Sequence, residues 1–324
     1  TGFVGLDLIN ILSKHPKVKL VSLCAQKSIG KNIKTFDKRI KKKLPKISKL
    51  SSVEWKKIDL LFLSLPNGEA QKIIKQLFFK YKHLKFIDLS ADFRLENAQT
   101  YKKWYKKNHK AKNLIKHSKY SIAELVKNLK NFRIVANPGC YPTSIQLALM
   151  PMIKKKLIKT NNITIDSKSG FSGAGKSFEK KFKQKNLYSS TFAYGIKYHR
   201  HMSELDQEFF KISKKLKYTF NPHVIPTFRG ILSSIYLEKK INITLTRIHK
   251  TIKKFYKNSK FIKVHNLNKS IGSGTVLNTN YCEISICSTI HKNKFVIFSA
   301  IDNLIKGAAG QAVQNMNLLY GFRE

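Results

Sequence analysis

Arginine, acid and cysteine are all scarce in this 324-residue chain. Four Cys with no close pairing cannot supply a disulfide framework. No C-x-x-C or H-E-x-x-H occurs, and no metal site is expected. No stretch approaches the ~20 apolar residues that span a bilayer. No Arg-rich start precedes an apolar h-region, so no secretory signal is read. The expectation is a cytoplasmic protein without a membrane partner. Eighteen acidic residues face 63 basic ones, for a formal charge of +45. Seven of those 63 are Arg and 56 are Lys. Nucleic-acid interfaces lean on the planar Arg fork. Here Lys is spread along the whole chain among Ile, Asn, Phe and Tyr, so the charge reads as a compositional bias and no specific nucleic-acid partner is expected. What is present suffices for packed cores: 42% hydrophobic and 11% aromatic residues, at a length that favours two domains.

The chain opens Thr1-Gly2-Phe3-Val4-Gly5, inside a motif, with apolar residues at 4, 8, 11 and 12. That spacing predicts a helix, followed by a strand over 18–23. Two glycines three apart at such a helix start fit the back half of a dinucleotide loop, whose first strand and first glycine are expected upstream. Strands over 58–65, 84–89 and 132–136 alternate with a helix over 70–79. Residues 99–120 are rich in Lys and Tyr and read as a helical or looped surface segment. This alternation predicts a parallel, doubly wound sheet. Beyond residue 141 the pattern changes. Helices over 145–158 and near 248–256 accompany strands starting at 163 and spanning 232–238, 282–288 and 295–300. Strand now follows strand, which predicts an α+β region with a mostly antiparallel sheet. The stretch 308–319 reads as a helix. Lys clusters at 38–49, 180–185 and 211–217 read as solvated faces.

The strongest chemical signal is Asn137-Pro138-Gly139-Cys140-Tyr141-Pro142-Thr143-Ser144. A strand ends there, the chain turns, and a helix begins with Thr143 or Ser144 as its cap. Cys140 is thereby placed at the carboxyl edge of a sheet and near a helix N-terminus, where a thiolate is favoured. Cys24, Cys282 and Cys287 read as buried structural cysteines. A thiolate nucleophile needs an acid/base partner. His199-Arg200-His201 offers two imidazoles which, in an extended segment, point the same way. Arg200 suits an anionic substrate, and Glu204 is placed to orient a ring. The other histidines sit in Lys-rich, surface-like contexts. Ser169-Gly170-Phe171-Ser172-Gly173-Ala174-Gly175 follows a strand and suits phosphate. It matches G-x4-G-K-S formally through Lys176 and Ser177. No apolar helical stripe follows, so a nucleotide-hydrolysing loop is not expected. The segment after the first complete strand, Leu23-Cys24-Ala25-Gln26-Lys27-Ser28, lacks the acid that binds a ribose 2′-hydroxyl and carries Lys27. That favours NADP.

Together with Leu63-Ser64-Leu65-Pro66-Asn67-Gly68, Asp88-Leu89-Ser90-Ala91-Asp92-Phe93-Arg94-Leu95, Pro226-Thr227-Phe228-Arg229-Gly230-Ile231-Leu232, Asn280-Tyr281-Cys282 and Asp302-Asn303-Leu304-Ile305-Lys306-Gly307-Ala308-Ala309-Gly310-Gln311, these motifs run in order along nearly the whole chain. The chain resembles the N-acetyl-gamma-glutamyl-phosphate reductase family of semialdehyde dehydrogenases. The resemblance implies an α/β protein with a Rossmann-type NADP-binding domain over 1–141, completed by a C-terminal helix within 302–324. It implies an α+β catalytic and dimerisation domain over 142–301 with a mixed, mostly antiparallel sheet. Cys140 matches the nucleophile, and His199 and His201 match the motif that supplies the acid/base, unranked between them. Arg94, Arg200, Arg229 and Asn137 are implied at the substrate. Gly2, Phe3, Val4, Gly5, Lys27, Ser172, Gly173, Ala174, Gly175 and Asn303 are implied at the cofactor. The implied reaction is NADPH-dependent reduction of an acyl phosphate to a semialdehyde through a cysteine thioester, in arginine biosynthesis, by a homo-oligomer. Aspartyl and aminoadipyl phosphates stay open as substrates. So do a Lys-rich nucleic-acid-binding protein on the same scaffold and a noncatalytic remnant. The family has Pro where this chain has Ser203, which removes a backbone restraint beside His201.

Overall fold

The computed structural model describes residues 1–176 and 190–324, so Ser177 and the Lys cluster at 180–185 lie outside the described residues. The chain divides into two compact units, one of residues 1–137 and 308–324, the other of residues 138–307.

The first unit contains helices α1 (Phe3–Ser13), α2 (Glu69–Phe78) and α3 (Ala98–Tyr105), and α7 (Gly310–Tyr320) returns to it. Strands β1 (Leu23–Cys24) and β2 (Ile47–Ser48) form a short parallel pair. Strands β3 (Leu60–Leu63), β4 (Lys85–Asp88), β5 (Ser118–Tyr120) and β6 (Ile134–Ala136) form a parallel sheet in the order β3-β4-β6-β5. Side chains alternate across it. Phe86, Ile134 and Ala136 join the Ala70, Ile74, Leu77 and Phe78 face of α2. Ile87 and Val135 join Leu8 and Leu12 of α1 and Ala312, Val313 and Met316 of α7. Helices therefore cover both faces, as a doubly wound parallel sheet requires. Each fully buried large side chain contributes about 1.5–3 kcal/mol.

One carboxylate organises the loops at the carboxyl end of this sheet. Gly68 has φ of 94° and carries no side chain to cap α2. Asp92 caps the helix instead, accepting from Gly68 N at 2.7 and 2.9 Å and from Gln71 N at 3.2 Å. The Gln71 amide and the Tyr101 hydroxyl donate to the same Oδ1. His109 Nε2 donates to the Asp92 carbonyl, and its Nδ1 accepts from Ala111 N. Burial holds the His109 pKa below its usual value.

This cluster corrects two expectations. Residues 99–120 are not a surface segment, because Tyr101, Tyr105, Ala111 and Leu114 are buried. His109 is buried too. Lysines at 102–103 and 106–107 face solvent while the tyrosines between them turn inward. The composition describes one side of the segment only. The strand over 18–23 shrinks to the two residues of β1, and Cys24 is exposed rather than buried.

In the second unit, helix α4 (Cys140–Lys154) packs on a seven-stranded mixed sheet with α5 (Met202–Phe210) and α6 (Leu245–Phe255). Its strands are β7 (Ile163–Gly170), β8 (Phe192–Ala193), β9 (Tyr218–Ile225), β10 (Ile231–Glu238), β11 (Ile262–Val264), β12 (Cys282–Ser288) and β13 (Lys294–Ile301), in the order β11-β12-β13-β10-β7-β9-β8. The β7–β9 and β11–β12 pairs are parallel and the other four antiparallel. Every residue of α4 from Tyr141 to Ile153 is buried. Pro151 has no N–H for the Leu147 carbonyl, and the Tyr256 hydroxyl takes that place at 2.7 Å. Where α4 meets the sheet, Ser144 Oγ lies 3.0 Å from both Ser233 Oγ and Ser299 Oγ, and Ser167 extends the chain of hydroxyls at 2.8 Å. Small, mutually bonded side chains let the helix lie close without orphaned polar atoms. Among the described residues no helix is long and apolar enough to cross a membrane.

Replacing Asp92 by Ala orphans the Tyr101 hydroxyl and uncaps α2. It should lower the unfolding free energy by about 3 kcal/mol, read as a reduced urea midpoint with unchanged slope. An unchanged midpoint would contradict this role.

Candidate active site

The chain leaves β6, turns through Pro138 and Gly139, and enters α4 with Cys140 as its first residue. The N-cap is Gly139, with φ −73° and ψ 159°, not Thr143 or Ser144. Pro142 fits within the first turn because its missing N–H belongs to the orphan set there. Thr143 Oγ1 instead bonds back to the Gly139 carbonyl at 2.9 Å. No residue of the helix's own first turn is acidic, and the half-buried Cys140 thiol stands at the positive end of the helix.

Two glycines set the space around that thiol. A Cβ on Gly307 would stand 2.6 Å from Cys140 Cβ and 3.1 Å from its Cα. A Cβ on Gly139 would stand 2.5–2.8 Å from three atoms of the His201 ring. The His201 imidazole thus lies directly over the residue preceding the nucleophile. Gly139 N donates to Glu204 Oε2 at 2.9 Å. Glu204 does not orient a ring through that bond, as expected from sequence, but holds the backbone before Cys140.

The two histidines are brought together, yet not by an extended strand. His201 has helical φ and ψ and is the N-cap of α5. The rings lie 4.8 Å apart at 68°. His201 N donates to His199 Nδ1 at 3.2 Å. His199 is walled by Tyr141, Tyr194 and Phe220 at ring distances of 5.4–5.6 Å. Burial, aided by the Arg200 charge, lowers its pKa to about 4. It is neutral at neutral pH, a poor proton donor and a good support for its neighbour. Ser203 bonds the Arg200 carbonyl through Oγ at 2.6 Å, so a hydrogen bond restrains this turn. The Tyr194 hydroxyl donates to Tyr141, which donates to the His223 carbonyl. Burial pushes the Tyr194 pKa up to about 12, and the nearby Cys140 charge adds to it.

The remaining expected site residues separate clearly. Arg200 is exposed beside His199. Arg229 Nη1 pairs with the buried Asp302 at 3.0 Å and with Asn278 at 3.1 Å. Arg94 is buried, with Nε on the Asn137 carbonyl and Nη2 on that of Leu89. Asn137 is also buried, its amide donating to the Ala308 carbonyl and accepting from Asn315. These bonds of Arg94 and Asn137 are made to the chain itself. Asn303 joins Gly230 N to Ser172 Oγ, which commits its amide within the second unit. Ser172, Gly173, Ala174 and the φ +82° Gly175 form a single tight turn after β7. Gly2 is the N-cap of α1, and Phe3, Val4 and Gly5 form its first turn. Lys27 is exposed beyond β1. Gly139, Tyr194 and Gly307 were not assigned to the site from sequence, and Glu204 only as a group to orient a ring. Gly307 lies in a quoted motif, but nothing local says that it touches Cys140. Among the described residues no cluster of His, Cys, Asp or Glu has the makings of a metal site.

Two family models match the chain: the semialdehyde dehydrogenase NAD binding domain over residues 1–131 and the semialdehyde dehydrogenase dimerisation domain over residues 140–303. The fold agrees. Aspartate semialdehyde dehydrogenase II of Vibrio cholerae, complexed with ASA, superposes with a TM-score of 0.73 at 17% identity, over 99% of this chain and 96% of that one. The class is therefore a semialdehyde dehydrogenase. N-acetyl-gamma-glutamyl-phosphate reductases of Brachyspira hyodysenteriae and Afipia carboxidovorans are 43% and 40% identical to it, each across 100% of this chain and 94% of the relative. The chain belongs to the N-acetyl-gamma-glutamyl-phosphate reductase family.

Two outcomes test the geometry. Gly307→Ala pushes a methyl into Cys140 and should slow turnover about 100-fold, with nicotinamide-cofactor binding retained in a fluorescence titration. His199, lowered from 6.5 to about 4, stabilises the fold fully above pH 6.5. That stability is lost as pH falls to 4, by about 3 kcal/mol, because the unfolded chain takes up the proton first. Denaturation at stepped pH should show this slope, and a His199→Phe variant should lack it.

Proposed function

We propose that this chain reduces N-acetyl-glutamyl 5-phosphate to N-acetyl-glutamate 5-semialdehyde in arginine biosynthesis, with NADPH as reductant and Cys140 as nucleophile. The observation that carries the reading is Cys140 at the first position of α4, with the His201 ring laid over Gly139 beside it. The printed names of the full-length relatives support the substrate.

The Cys140 thiolate attacks the acyl carbon, the carbon–oxygen bond to phosphate breaks, and phosphate leaves with its electron pair. A thioester on Cys140 remains. Bound NADPH supplies hydride to such a carbonyl carbon. As charge develops on the thioester oxygen, His201 donates a proton to it. Collapse then breaks the carbon–sulfur bond, returns the hydroxyl proton to His201 and restores the thiolate. His201 is chosen over His199 because it adjoins Gly139 and because His199, its pKa lowered to about 4, is not an imidazolium at neutral pH. Arg200, exposed beside the pair, takes an anionic group of the substrate, and Arg229 is the second candidate.

The first unit fits a dinucleotide. A Cβ on Gly2 or Gly5 would meet nothing within 4 Å, so these glycines leave open space rather than relieve a clash with the chain. No side chain caps α1 and no acid enters its first turn, so the N-terminal end of this helix suits a pyrophosphate. Lys27 is the ligand for a 2′-phosphate, which makes the cofactor NADP. Ser172, Gly173, Ala174 and Gly175 stay as cofactor contacts in this proposal, whereas Asn303 acts by bracing Ser172. The matched dimerisation domain supports a homo-oligomer.

A Cys140→Ser variant should lose at least 1,000-fold in phosphate-dependent turnover while binding NADPH as the parent does. Assays with N-acetyl-glutamyl and aspartyl phosphates, side by side, decide the substrate. Parent-like turnover of the Ser variant, or preference for aspartyl phosphate, would refute the reading.

A further inference from the structure

Asp302 is a fully buried carboxylate for which the thioester chemistry gives no role. It follows the last residue of β13 and precedes a wide turn over Ile305–Ala309. Its two oxygens face different ways. Oδ1 accepts from Leu304 N at 2.9 Å and from Ile305 N at 3.0 Å, so the side chain caps the turn that follows it. The Asp302 carbonyl accepts from Gly307 N at 2.9 Å, and this reach gives the turn its π-helical width. The turn sets Gly307 where an added Cβ would stand 2.6 Å from Cys140 Cβ. On the other side, Oδ2 accepts from Arg229 Nη1 at 3.0 Å and from Asn278 N at 2.7 Å. The same Nη1 donates to Asn278 Oδ1 at 3.1 Å, which ties Asp302, Arg229 and Asn278 to one another. The backbone behind Arg229 is equally confined. Gly230 has φ of 105°, and a Cβ there would stand 2.8 Å from Ser273. The Arg229 side chain is 10% exposed and that of Asp302 0%, so a sealed anion holds a cation that reaches the surface. A charge-assisted bond in such a setting fixes the direction of the guanidinium.

Resting on the reading of Cys140 as nucleophile and of Arg229 as a ligand of the substrate anion, we propose that Asp302 is a positioning residue whose two oxygens serve two parts of the site: Oδ1 shapes the turn that walls Cys140, and Oδ2 aims Arg229. It touches neither substrate nor cofactor in this role. An Asn at 302 separates the two tasks. Its carbonyl oxygen still accepts from Leu304 and Ile305, while its amide nitrogen, a donor, meets the donors of Arg229 and Asn278. An Ala removes both acceptors. The wall and the arginine therefore respond differently to the two substitutions, whereas a residue that only stabilised the fold would disturb both together.

The test uses the full chain with Asp302→Asn, Asp302→Ala, Arg229→Met and the double variant Asp302→Asn with Arg229→Met. In the Asn variant the KM for N-acetyl-glutamyl phosphate should rise about tenfold while kcat falls less than threefold, the signature of binding lost equally from ground and transition states. Arg229→Met should raise KM at least as much, and the double variant should be no worse than Arg229→Met, because Asp302 then has no guanidinium to aim. A second readout needs no substrate: the rate of Cys140 alkylation by iodoacetamide, followed by peptide mass with the exposed Cys24 as internal reference. That rate should stay within about twofold of the parent in the Asn variant and rise about fivefold in the Ala variant, where Gly307 is no longer held against the thiol. A parent KM in the Asn variant, a further tenfold penalty in the double variant, or equal alkylation rates in the Asn and Ala variants would overturn the role of Asp302. A parent chain that reduces no acyl phosphate would overturn the proposed substrate, and the alkylation contrast would then decide the role of Asp302. If the Ala chain does not fold, the comparison of the Asn, Met and double variants decides alone.

Discussion

The hydrogen bond from Gly139 N to Glu204 is the tie that joins the turn before Cys140 to helix α5. It fixes the residue before the nucleophile to the helix that presents the imidazole. Everything nearby is arranged so that this bond has one geometry. Gly139 and Gly307 are glycines because the neighbouring ring and the Cys140 side chain already fill the places their own Cβ atoms need. Thr143 and Ser144, expected as caps, face elsewhere: one back to the Gly139 carbonyl, the other into the serine cluster under α4. The helix is buried from Tyr141 onward, so its start cannot drift without disturbing packing along its length.

The first unit solves a different problem with the same device. There the helix start that must be held is α2, and its Gly68 cannot cap it. A distant carboxylate, Asp92, substitutes, and the Tyr101 and Gln71 side chains fix that carboxylate in turn. Asp88 beside it shows the electrostatic cost. Burial, reinforced by the Asp92 charge, raises its pKa to about 6, against opposing bonds from Ser90 and Phe93. Crowding two acids below a sheet edge in a chain with so few of them marks the loops between 64 and 95 as built to hold one shape. By contrast, no side chain caps α1.

Much of this was legible in the residues. The parallel sheet, the change to a mixed sheet after 141, and β12 to the residue followed from periodicity and from turn signals such as Asn137-Pro138-Gly139. Cys140 stood out because Pro-Gly before it and Pro-Thr after it mark a turn into a helix, although that helix begins at Cys140 itself rather than after Thr143 or Ser144. What was not legible depends on partners far along the chain. Arg94 and Asn137 carry functional groups that suit a substrate, and only the fold shows their bonds to backbone carbonyls and to Asn315. Tyr101 and His109 sit among lysines, and local composition could not reveal that alternate residues turn inward onto Asp92. The short strands β1, β5, β8 and β11 carry too few residues for any pattern.

The ranking of the two histidines shows how such distant partners decide chemistry. In sequence they are equivalent, two residues apart around an arginine. In the structure one lies over Gly139 and the other is walled by three aromatic rings. Burial drives the proton from His199, and its bare Nδ1 then accepts the His201 backbone N–H. The same desolvation leaves His199 with a single ring proton at neutral pH and fits its Nδ1 to accept the backbone of its neighbour. Arg200 reinforces the division, since its positive charge beside His199 opposes a second proton there.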